Sequence, residues 1–358
     1  MFEEFLNNKD TWLNGKGPFS EIVFSSRVRL ARNLPGYPFP PRATKSQKED
    51  ILKKIEQACS GIAQLKNTNF LRMQDISELD RQFLLERHLI SQEHTVNFES
   101  KGLIISSDEK ISLMINEEDH LRMQVIFSGF DLEKSWEIIN EIDNEMAKVI
   151  NFSFLPNLGF LTSCPTNVGT ALRASCMLHL PALVFTKRIN KILELLVKIS
   201  FITRGFFGEG TQALGDFFQI SNQVSLGICE QEVIDNLSGV VNQVKEQEID
   251  ARNLLLKKHK LNLEDNVWRS LGILRNCRLI SSKEALSHLS ILSLGLDLGI
   301  IKDINRESIN SLFIIIQPAH LQKIEEDFKR RRAGLYSGAD FKGEIETIEA
   351  DVRGSKRG

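Results

Sequence analysis

The chain lacks the features that membrane and nucleic-acid proteins show most plainly. Its longest apolar runs, such as residues 312–316, fall far short of the roughly 18–20 residues that cross a bilayer. No long apolar stretch follows the acidic residues 1–5, so we expect no signal peptide. A basic excess is also missing, because the net charge is −2 and the pI about 6.4. We therefore expect a cytoplasmic protein that binds neither membranes nor nucleic acid directly.

Several familiar motifs are missing as well. The five cysteines contain no C-x-x-C pair, which argues against structural zinc and indicates reduced thiols. His88, His94 and His120 do not have the spacing of metal ligands. None of G-x-x-x-x-G-K-[ST], G-x-G-x-x-G and G-x-S-x-G occurs. These absences exclude a P-loop, a Rossmann nucleotide site and a hydrolase nucleophile elbow.

The most informative stretch is residues 116–122, Asn-Glu-Glu-Asp-His-Leu-Arg, which follows a short apolar run. Read as a strand, it places Glu118 and Arg122 on one face and Glu117 and Asp119 on the other. Charges of both signs beside a buried segment are costly to build for stability alone. A solvated strand end whose charges pair is the alternative. The density of polar groups favours a site that holds charged substrate groups.

Arginines recur beside Gly, Ser or acidic residues in three other segments, residues 25–32, 163–176 and 204–210. On the first, Arg27 and Arg29 share one face of a predicted strand. An exposed, solvated face is the alternative for alternating charges. Arginines that converge only after folding are suited to a polyphosphate, because the planar guanidinium grips phosphate oxygens in a bidentate manner.

Cys164 precedes Pro165 in a polar loop of Ser, Thr and Asn. Such partly exposed settings stabilise thiolates, although an inert buried thiol is the commoner case. The other cysteines lie in apolar or helical contexts, and we expect them to be structural.

Periodicity predicts an α+β fold, with a largely antiparallel sheet flanked by helices and followed by an all-helical C-terminal domain. Apolar residues at helical spacing predict helices over residues 48–59, 131–149, 230–259 and 305–316, and a capping box at residues 281–284 begins another. Strands are predicted over residues 22–30, 103–105, 112–126, 161–163, 199–203 and 218–226, the last half-buried. We expect a lead-in over 1–20, a catalytic domain over 21–235, a helical domain over 236–336 and a flexible tail over 337–358.

Residues 25–29, 116–122, 164–173 and 204–209 together resemble the signature blocks of the phosphagen (guanidino) kinases, the family of arginine and creatine kinases. The Asn-Glu-Glu-Asp-His and Cys-Pro-Thr-Asn-x-Gly-Thr blocks are highly specific in this order and spacing. The resemblance covers about residues 10–322. It is strongest to the bacterial branch that phosphorylates arginine in proteins, because a helical domain follows the kinase core.

The resemblance implies transfer of the γ-phosphoryl group of ATP, with Mg²⁺, to arginine side chains of proteins. It also implies that the phosphoarginine marks proteins for Clp protease, with an activator protein and a Clp ATPase as partners and a homodimer as the assembly. A kinase of free arginine or of another small guanidino compound is one alternative. A non-catalytic regulatory binding protein is the other.

Residue by residue, the resemblance assigns Glu118 as the base, Cys164 as the reactive cysteine and Glu209 as a second carboxylate that holds the substrate. It implies no metal ligand from the chain. The nucleotide-contacting positions that it implies are Ser25, Ser26, Arg27, Val28, Arg29, His88, Arg122, Arg173, Ala174, Ser175, Cys176, Met177, Arg204, Gly205, Phe206, Phe207, Gly208 and Glu209.

One block departs from the family. The C-terminal Arg-Asp-x-x-Arg-Ala motif, which binds phosphoarginine in the family, has no match here. The candidate region, residues 326–333, reads Glu-Asp-Phe-Lys-Arg-Arg-Arg-Ala, in which Asp327 and Arg330 could retain part of the function. The resemblance therefore does not extend to phosphoarginine sensing.

Overall fold

The computed structural model describes residues 11–205 and 214–332, with side chains described as far as residue 326. These residues form an eight-stranded sheet, in which all neighbouring strands are antiparallel, and a separate two-stranded hairpin. The strands are β1 (Val23–Arg32), β2 (Thr68–Arg72), β3 (Gly102–Ser106), β4 (Ile111–Ile115), β5 (Leu121–Ser128), β6 (Phe154–Leu155), β7 (Gly159–Phe160), β8 (Leu172–His179), β9 (Phe201–Arg204) and β10 (Phe217–Asn222). Their spatial order is β2-β3-β4-β5-β1-β8-β10-β9, with β6 and β7 apart. The predicted largely antiparallel α+β fold is confirmed.

The helices in the described part of the chain pack against this sheet and against one another. They are α1 (Lys45–Cys59), α2 (Glu78–Glu86), α3 (Gln92–Thr95), α4 (Leu132–Ala147), α5 (Pro181–Phe185), α6 (Ile189–Lys198), α7 (Glu230–Lys258), α8 (Lys260–Asn276), α9 (Ser282–Asp297), α10 (Arg306–Ile315) and α11 (Pro318–Arg332). Helix α4 contacts β1 and β5, whereas α7 contacts β8 and β10. No described helix combines the length and apolar character needed to span a bilayer.

The helix-covered face of the sheet holds the main core. Val28 and Leu30 on β1 are fully buried there, as their alternation with arginines requires. On α4, Ile139, Ile142 and Met146 are buried at helical spacing and join the same core. Helices therefore cover one face of the central strands, and alternate residues of those strands are left for the opposite face.

Hydrogen bonds between α2 and α11 tie the C-terminal helices to the rest of the fold. The Glu86 carboxylate at the end of α2 accepts hydrogen bonds from the Ala319 and His320 amides at the start of α11 (2.8 and 3.1 Å). Ser281 caps α9 by accepting from the Glu284 amide, 3.2 Å away. The predicted helices over 230–259 and 305–316 are confirmed, because α7 and α10 occupy those residues.

Three strand predictions are wrong in part or in whole. Residues 112–126 form two strands joined by a tight turn, because Asn116 adopts a left-handed conformation (φ 57°) and donates to the His120 carbonyl. Residues 161–163 are not a strand, since the neighbouring hairpin ends at Phe160. Strand β10 ends at Asn222 and is buried throughout, so it is not half-buried as expected.

Candidate active site

Strand register brings the predicted arginines to one face of the sheet. Arg29 pairs with Arg173 of β8 and with Gln124 of β5, and partners directly opposite on antiparallel strands share a face. Arg27 lies two residues before Arg29 and therefore points the same way. The residues on this face come from strands that are distant in sequence, so the cluster exists only after folding.

The same register adds two more guanidinium groups. Arg122 of β5 pairs with Ala31, which lies on the face of Arg29. Arg204 of β9 pairs with Gln219 of β10, whose side chain accepts a hydrogen bond from Arg27 Nη2, 3.3 Å away. We refer to Arg27, Arg29, Arg122, Arg173 and Arg204 as the arginine face.

Two guanidinium groups of the arginine face, those of Arg27 and Arg29, lie partly buried close to other guanidinium groups. Burial, and then the neighbouring Arg173, Arg122 and Arg204, lowers the pKa of Arg27 to about 10. The same two causes place the pKa of Arg29 well below its ordinary value, and Arg29 Nε is buried without a hydrogen-bond partner. Guanidinium groups that weaken one another's protonation provide a strong local attraction for a multiply charged anion.

The turn between β4 and β5 places both neighbouring glutamates against Arg122. Arg122 Nη1 lies 2.7 Å from Glu117 Oε1, and Arg122 Nη2 lies 2.8 Å from Glu118 Oε2. The predicted alternation, with Glu117 and Glu118 on opposite faces, is therefore wrong, because the segment turns instead of continuing as a strand. The two carboxylates differ in exposure: the Glu117 side chain is buried, whereas 37% of the Glu118 side chain is exposed.

Glu118 has the electrostatic setting of a proton acceptor. Burial raises its pKa, Arg122 opposes the rise, and the nearby acids Asp119 and Glu117 add to it. Burial lowers the pKa of Arg122, but Glu117, Glu118 and Asp119 outweigh that cost, so the net pKa of Arg122 is raised. An accessible carboxylate with a raised pKa is suited to take a proton near neutral pH.

Cys164 lies in a loop that is fastened to the Glu118 turn through Asp119. The buried Asp119 Oδ1 accepts from the Ser163 amide and from Asn33 Nδ2, each 2.7 Å away. Asp119 is adjacent to Glu118 in the chain, and Ser163 is adjacent to Cys164. One carboxylate therefore sets the relative position of the two predicted catalytic residues. Sequence reasoning missed this role, because Asp119 was read only as part of a strand.

The Cys164 thiol is partly exposed, and its Sγ lies 3.0 Å from Thr166 Oγ1. This hydroxyl contact and the partial exposure agree with the polar loop that the sequence indicates. By contrast, burial raises the pKa of Cys176 to about 12, which makes that thiol inert near neutral pH.

His88 lies beside the arginine face at the end of α2. Its carbonyl accepts from Gln124 Nε2 (2.8 Å), and burial together with Arg27 lowers its pKa to about 3. The imidazole is therefore neutral. A narrow cavity between these elements is lined by Trp12, Phe24, Ser25, Arg27, His88, Ile126, Ser175, Met177 and Gln219. Apolar and aromatic groups next to guanidinium groups are suited to a base with attached phosphates.

Not every predicted position reaches the arginine face. Alternation turns the side chains of four of them toward the helix-covered core, namely Ser26, Val28, Ala174 and Cys176. Gly205 is buried next to Arg204. Phe206, Phe207, Gly208 and Glu209 lie outside the described residues, as do the predicted tail and the side chains of Asp327 and Arg330.

Two neutral residues on this face were not assigned from the sequence. Gln219 contacts Arg27, and Ser221 Oγ lies 3.2 Å from Arg173 Nη2. Their place in an alternating strand was visible, but only the register of β10 against β8 shows that they lie beside arginines.

Comparison with known proteins agrees with this geometry. The family profile described as ATP:guanido phosphotransferase, C-terminal catalytic domain, matches residues 50–251, more than half of the chain. The structure of lombricine kinase is similar with a TM-score of 0.58 at 25% identity, covering 65% of this chain and 68% of that one. The duplicated taurocyamine kinase of Schistosoma mansoni gives a TM-score of 0.60 at 25% identity over 66% of this chain, which spans 34% of that one. Fold and site thus define an ATP:guanidino phosphotransferase.

Closer relatives narrow the assignment. A second profile, Protein-arginine kinase McsB C-terminal domain, matches residues 260–334. The protein-arginine kinase of Halothermothrix orenii is 48% identical over 318 residues, which are 89% of this chain and 91% of that protein. The enzyme of the same name from Bacillus subtilis is 43% identical over 345 residues, 96% of this chain and 90% of that protein. The chain belongs to the protein-arginine kinase family.

Proposed function

We propose that this protein transfers the γ-phosphoryl group of ATP to the guanidinium groups of arginine side chains in proteins. The convergence of five arginines on one sheet face, beside Glu118, is the observation that carries the proposal. The acceptor of the phosphoryl group is inferred from the relatives, which are named protein-arginine kinase.

The residues of the arginine face fit a nucleotide triphosphate. Arg29 Nε is a buried donor without a hydrogen-bond partner, and Arg27 donates to the neutral side chain of Gln219. Phosphate oxygens would satisfy such donors with charge-assisted hydrogen bonds. We place the base of the nucleotide at the edge of the arginine face, near His88 and Met177.

Mg²⁺ belongs to the proposal as a partner of the phosphates. Within the described residues no group of three or more His, Cys, Asp or Glu could hold a metal ion. Mg²⁺ commonly binds through substrate phosphates and retained waters with few protein ligands. When bound it would neutralise charge on the phosphate oxygens. A chelator should then abolish transfer without changing the circular dichroism of the protein.

We assign the proton transfer to Glu118. A substrate guanidinium arrives cationic, because its pKa lies above about 12. As the new N–P bond forms and the bond from the γ-phosphorus to the bridging oxygen breaks, one nitrogen proton passes to Glu118, and ADP leaves with the bridging electrons. Arg122 holds the Glu118 carboxylate through the 2.8 Å contact. Cys164 lies on the loop that Asp119 joins to this turn, and Glu209 is assigned to the second substrate carboxylate by resemblance alone.

The test is incubation with γ-labelled ATP and either an unfolded arginine-containing protein or free arginine. Label on protein that survives base but not acid is expected, because the phosphoramidate bond is acid-labile. Transfer to free arginine alone would instead make this a small-guanidino kinase. A lack of ATP turnover with either acceptor would contradict the proposal and favour a regulatory binding protein.

Wider biological roles rest on the family resemblance. We propose that phosphorylated proteins are directed to a Clp protease, that an activator protein and a Clp ATPase are partners, and that the enzyme is a cytoplasmic homodimer. Light scattering of the purified protein tests the dimer, and a monomer at micromolar concentration would contradict it.

A further inference from the structure

Large apolar side chains flank the loop that carries Cys164, and solvent reaches them. Phe154, Leu155 and Leu158 lie on the β6–β7 hairpin, and Val224 and Leu226 lie just after β10, with exposed fractions of 38–52%. We refer to these five residues as the apolar rim. Exposed apolar side chains that are grouped on neighbouring segments are candidates for a binding surface.

One side of the apolar rim is two hydrogen bonds away from the Cys164 thiol. Ser225, between Val224 and Leu226, donates its hydroxyl to the carbonyl of Thr166, 3.1 Å away. The Thr166 hydroxyl in turn lies 3.0 Å from Cys164 Sγ. Val224 and Leu226 therefore lie on a segment that is hydrogen-bonded to the Cys164 loop.

The hairpin side is joined to the same loop. The Phe160 amide donates to the Gly169 carbonyl (2.8 Å), and a Cβ added at Gly159 would lie only 2.5 Å from that oxygen. A Cβ added at Gly169 would lie 2.0 Å from the Ser225 carbonyl oxygen. The hairpin, the Gly169 segment and the residues around Ser225 thus run side by side in close backbone contact, where glycine is required.

The hairpin is also held by a contact with β1. The Arg32 guanidinium lies 3.4 Å from the centroid of the Phe160 ring, and Arg32 is buried in an ion pair with Asp143 (2.7 Å). At the tip, the Leu158 amide donates to the Leu155 carbonyl, 3.0 Å away. The exposed side chains therefore stand on a fastened element, which limits the entropy lost when a ligand packs against them.

We propose that the apolar rim binds the apolar residues that flank the target arginine in an unfolded polypeptide segment. This inference rests on the proposed function and adds a substrate preference to it. The Cys164 loop is joined to the Glu118 turn, so an arginine whose guanidinium reaches Glu118 brings its own backbone near this loop, and the rim lies on both chain segments that are hydrogen-bonded to it. Folded proteins bury most large apolar side chains, so a segment that offers them beside an arginine is unfolded. Free arginine has no flanking residues.

The test compares two peptides of equal length and charge, each with one arginine, flanked by Leu and Phe in one and by Ser and Gln in the other. We expect the wild-type enzyme to show a kcat/KM about tenfold higher for the apolar peptide, chiefly through KM. The paired changes Phe154→Ser with Leu158→Ser, and Val224→Ser with Leu226→Ser, should each reduce this ratio severalfold. The matched control is Leu261→Ser with Leu279→Ser, which alters exposed leucines of the C-terminal helical region and should leave the ratio unchanged.

Three results would overturn the proposal. Equal kcat/KM of the wild-type enzyme for the two peptides would do so without any variant. An equal loss of the ratio in the rim variants and in the control would show that the effect is not local. Conversion of a dimer to a monomer by the rim changes, with an unchanged peptide ratio, would identify the rim as contact surface for a second copy. Failure of the proposed function is distinguishable, because neither peptide would then be labelled.

Discussion

On β1, Val28 and Leu30 point into the core beneath the helices, whereas Arg27 and Arg29 point to the arginine face. On the core face, every apolar group that is removed from water stabilises the fold. The arginine face destabilises the fold, because partly buried guanidinium groups repel one another and Arg29 Nε lacks a hydrogen-bond partner. The same strands thus contribute to stability on one face and to the chemistry on the other. We therefore expect substitutions on the core face to lower the free energy of unfolding and substitutions on the arginine face to lower activity.

The largest expected effect is on turnover from Glu118→Gln. Removing the proton acceptor should reduce kcat by about 10³-fold, within the range typical of general bases. ATP affinity should change little, because a glutamine keeps a side-chain oxygen that can accept the hydrogen bond from Arg122 Nη2. Phosphoprotein yield and nucleotide binding by calorimetry would measure the two quantities. Near-full activity of this variant would show that Glu118 is not the base.

Arg29→Met should separate activity from stability. We expect kcat/KM for ATP to fall by about 10²-fold, since a phosphate-binding charge is removed. The free energy of unfolding should stay level or rise by about 1 kcal/mol, because a repelled, partly buried charge without a partner at Nε is replaced by an apolar chain of similar length. Urea titration monitored by fluorescence measures this. A marked loss of stability would mean that the arginine face is structural.

Leu30→Ala provides the matched change on the other face of β1. The side chain is fully buried, so truncation should lower the free energy of unfolding by about 2–4 kcal/mol. The kcat of the protein that remains folded should change less than threefold, because Leu30 points away from the site. If activity fell as far as in Arg29→Met while the fold persisted, the two faces would not be functionally separate.

The smallest expected effect is a pH dependence. Glu118 must be ionised to accept a proton, and burial raises its pKa. The value of kcat/KM should therefore fall as the pH drops through this raised pKa, starting at a higher pH than for an ordinary glutamate, with a limiting slope of one decade per pH unit. A pH–rate profile of the wild-type enzyme checks the sign. A profile that stays flat until an ordinary glutamate titrates would contradict the assignment.

Prediction from the sequence succeeded where the signal is local. Helices α4, α7 and α10 follow from apolar periodicity, and strand β1 follows from alternation. It failed at residues 116–120, because the turn depends on a left-handed Asn116 whose side chain is held by the Lys48 and Ser100 carbonyls (both 2.8 Å). Those contacts come from segments distant in the chain, so a local pattern could not indicate the turn.

The amino-acid sequence alone determined which residue types were present for the chemistry, because arginines beside glycine and serine, a run of acids and one cysteine in a polar loop can be read without coordinates. Tertiary structure decided which of them meet. Register between β1, β5, β8 and β10 turns scattered guanidinium groups into one charged face, and the buried Asp119 joins the Glu118 turn to the Cys164 loop. Both depend on hydrogen bonds between residues far apart in the chain, and such pairing is set by the packing of the whole sheet.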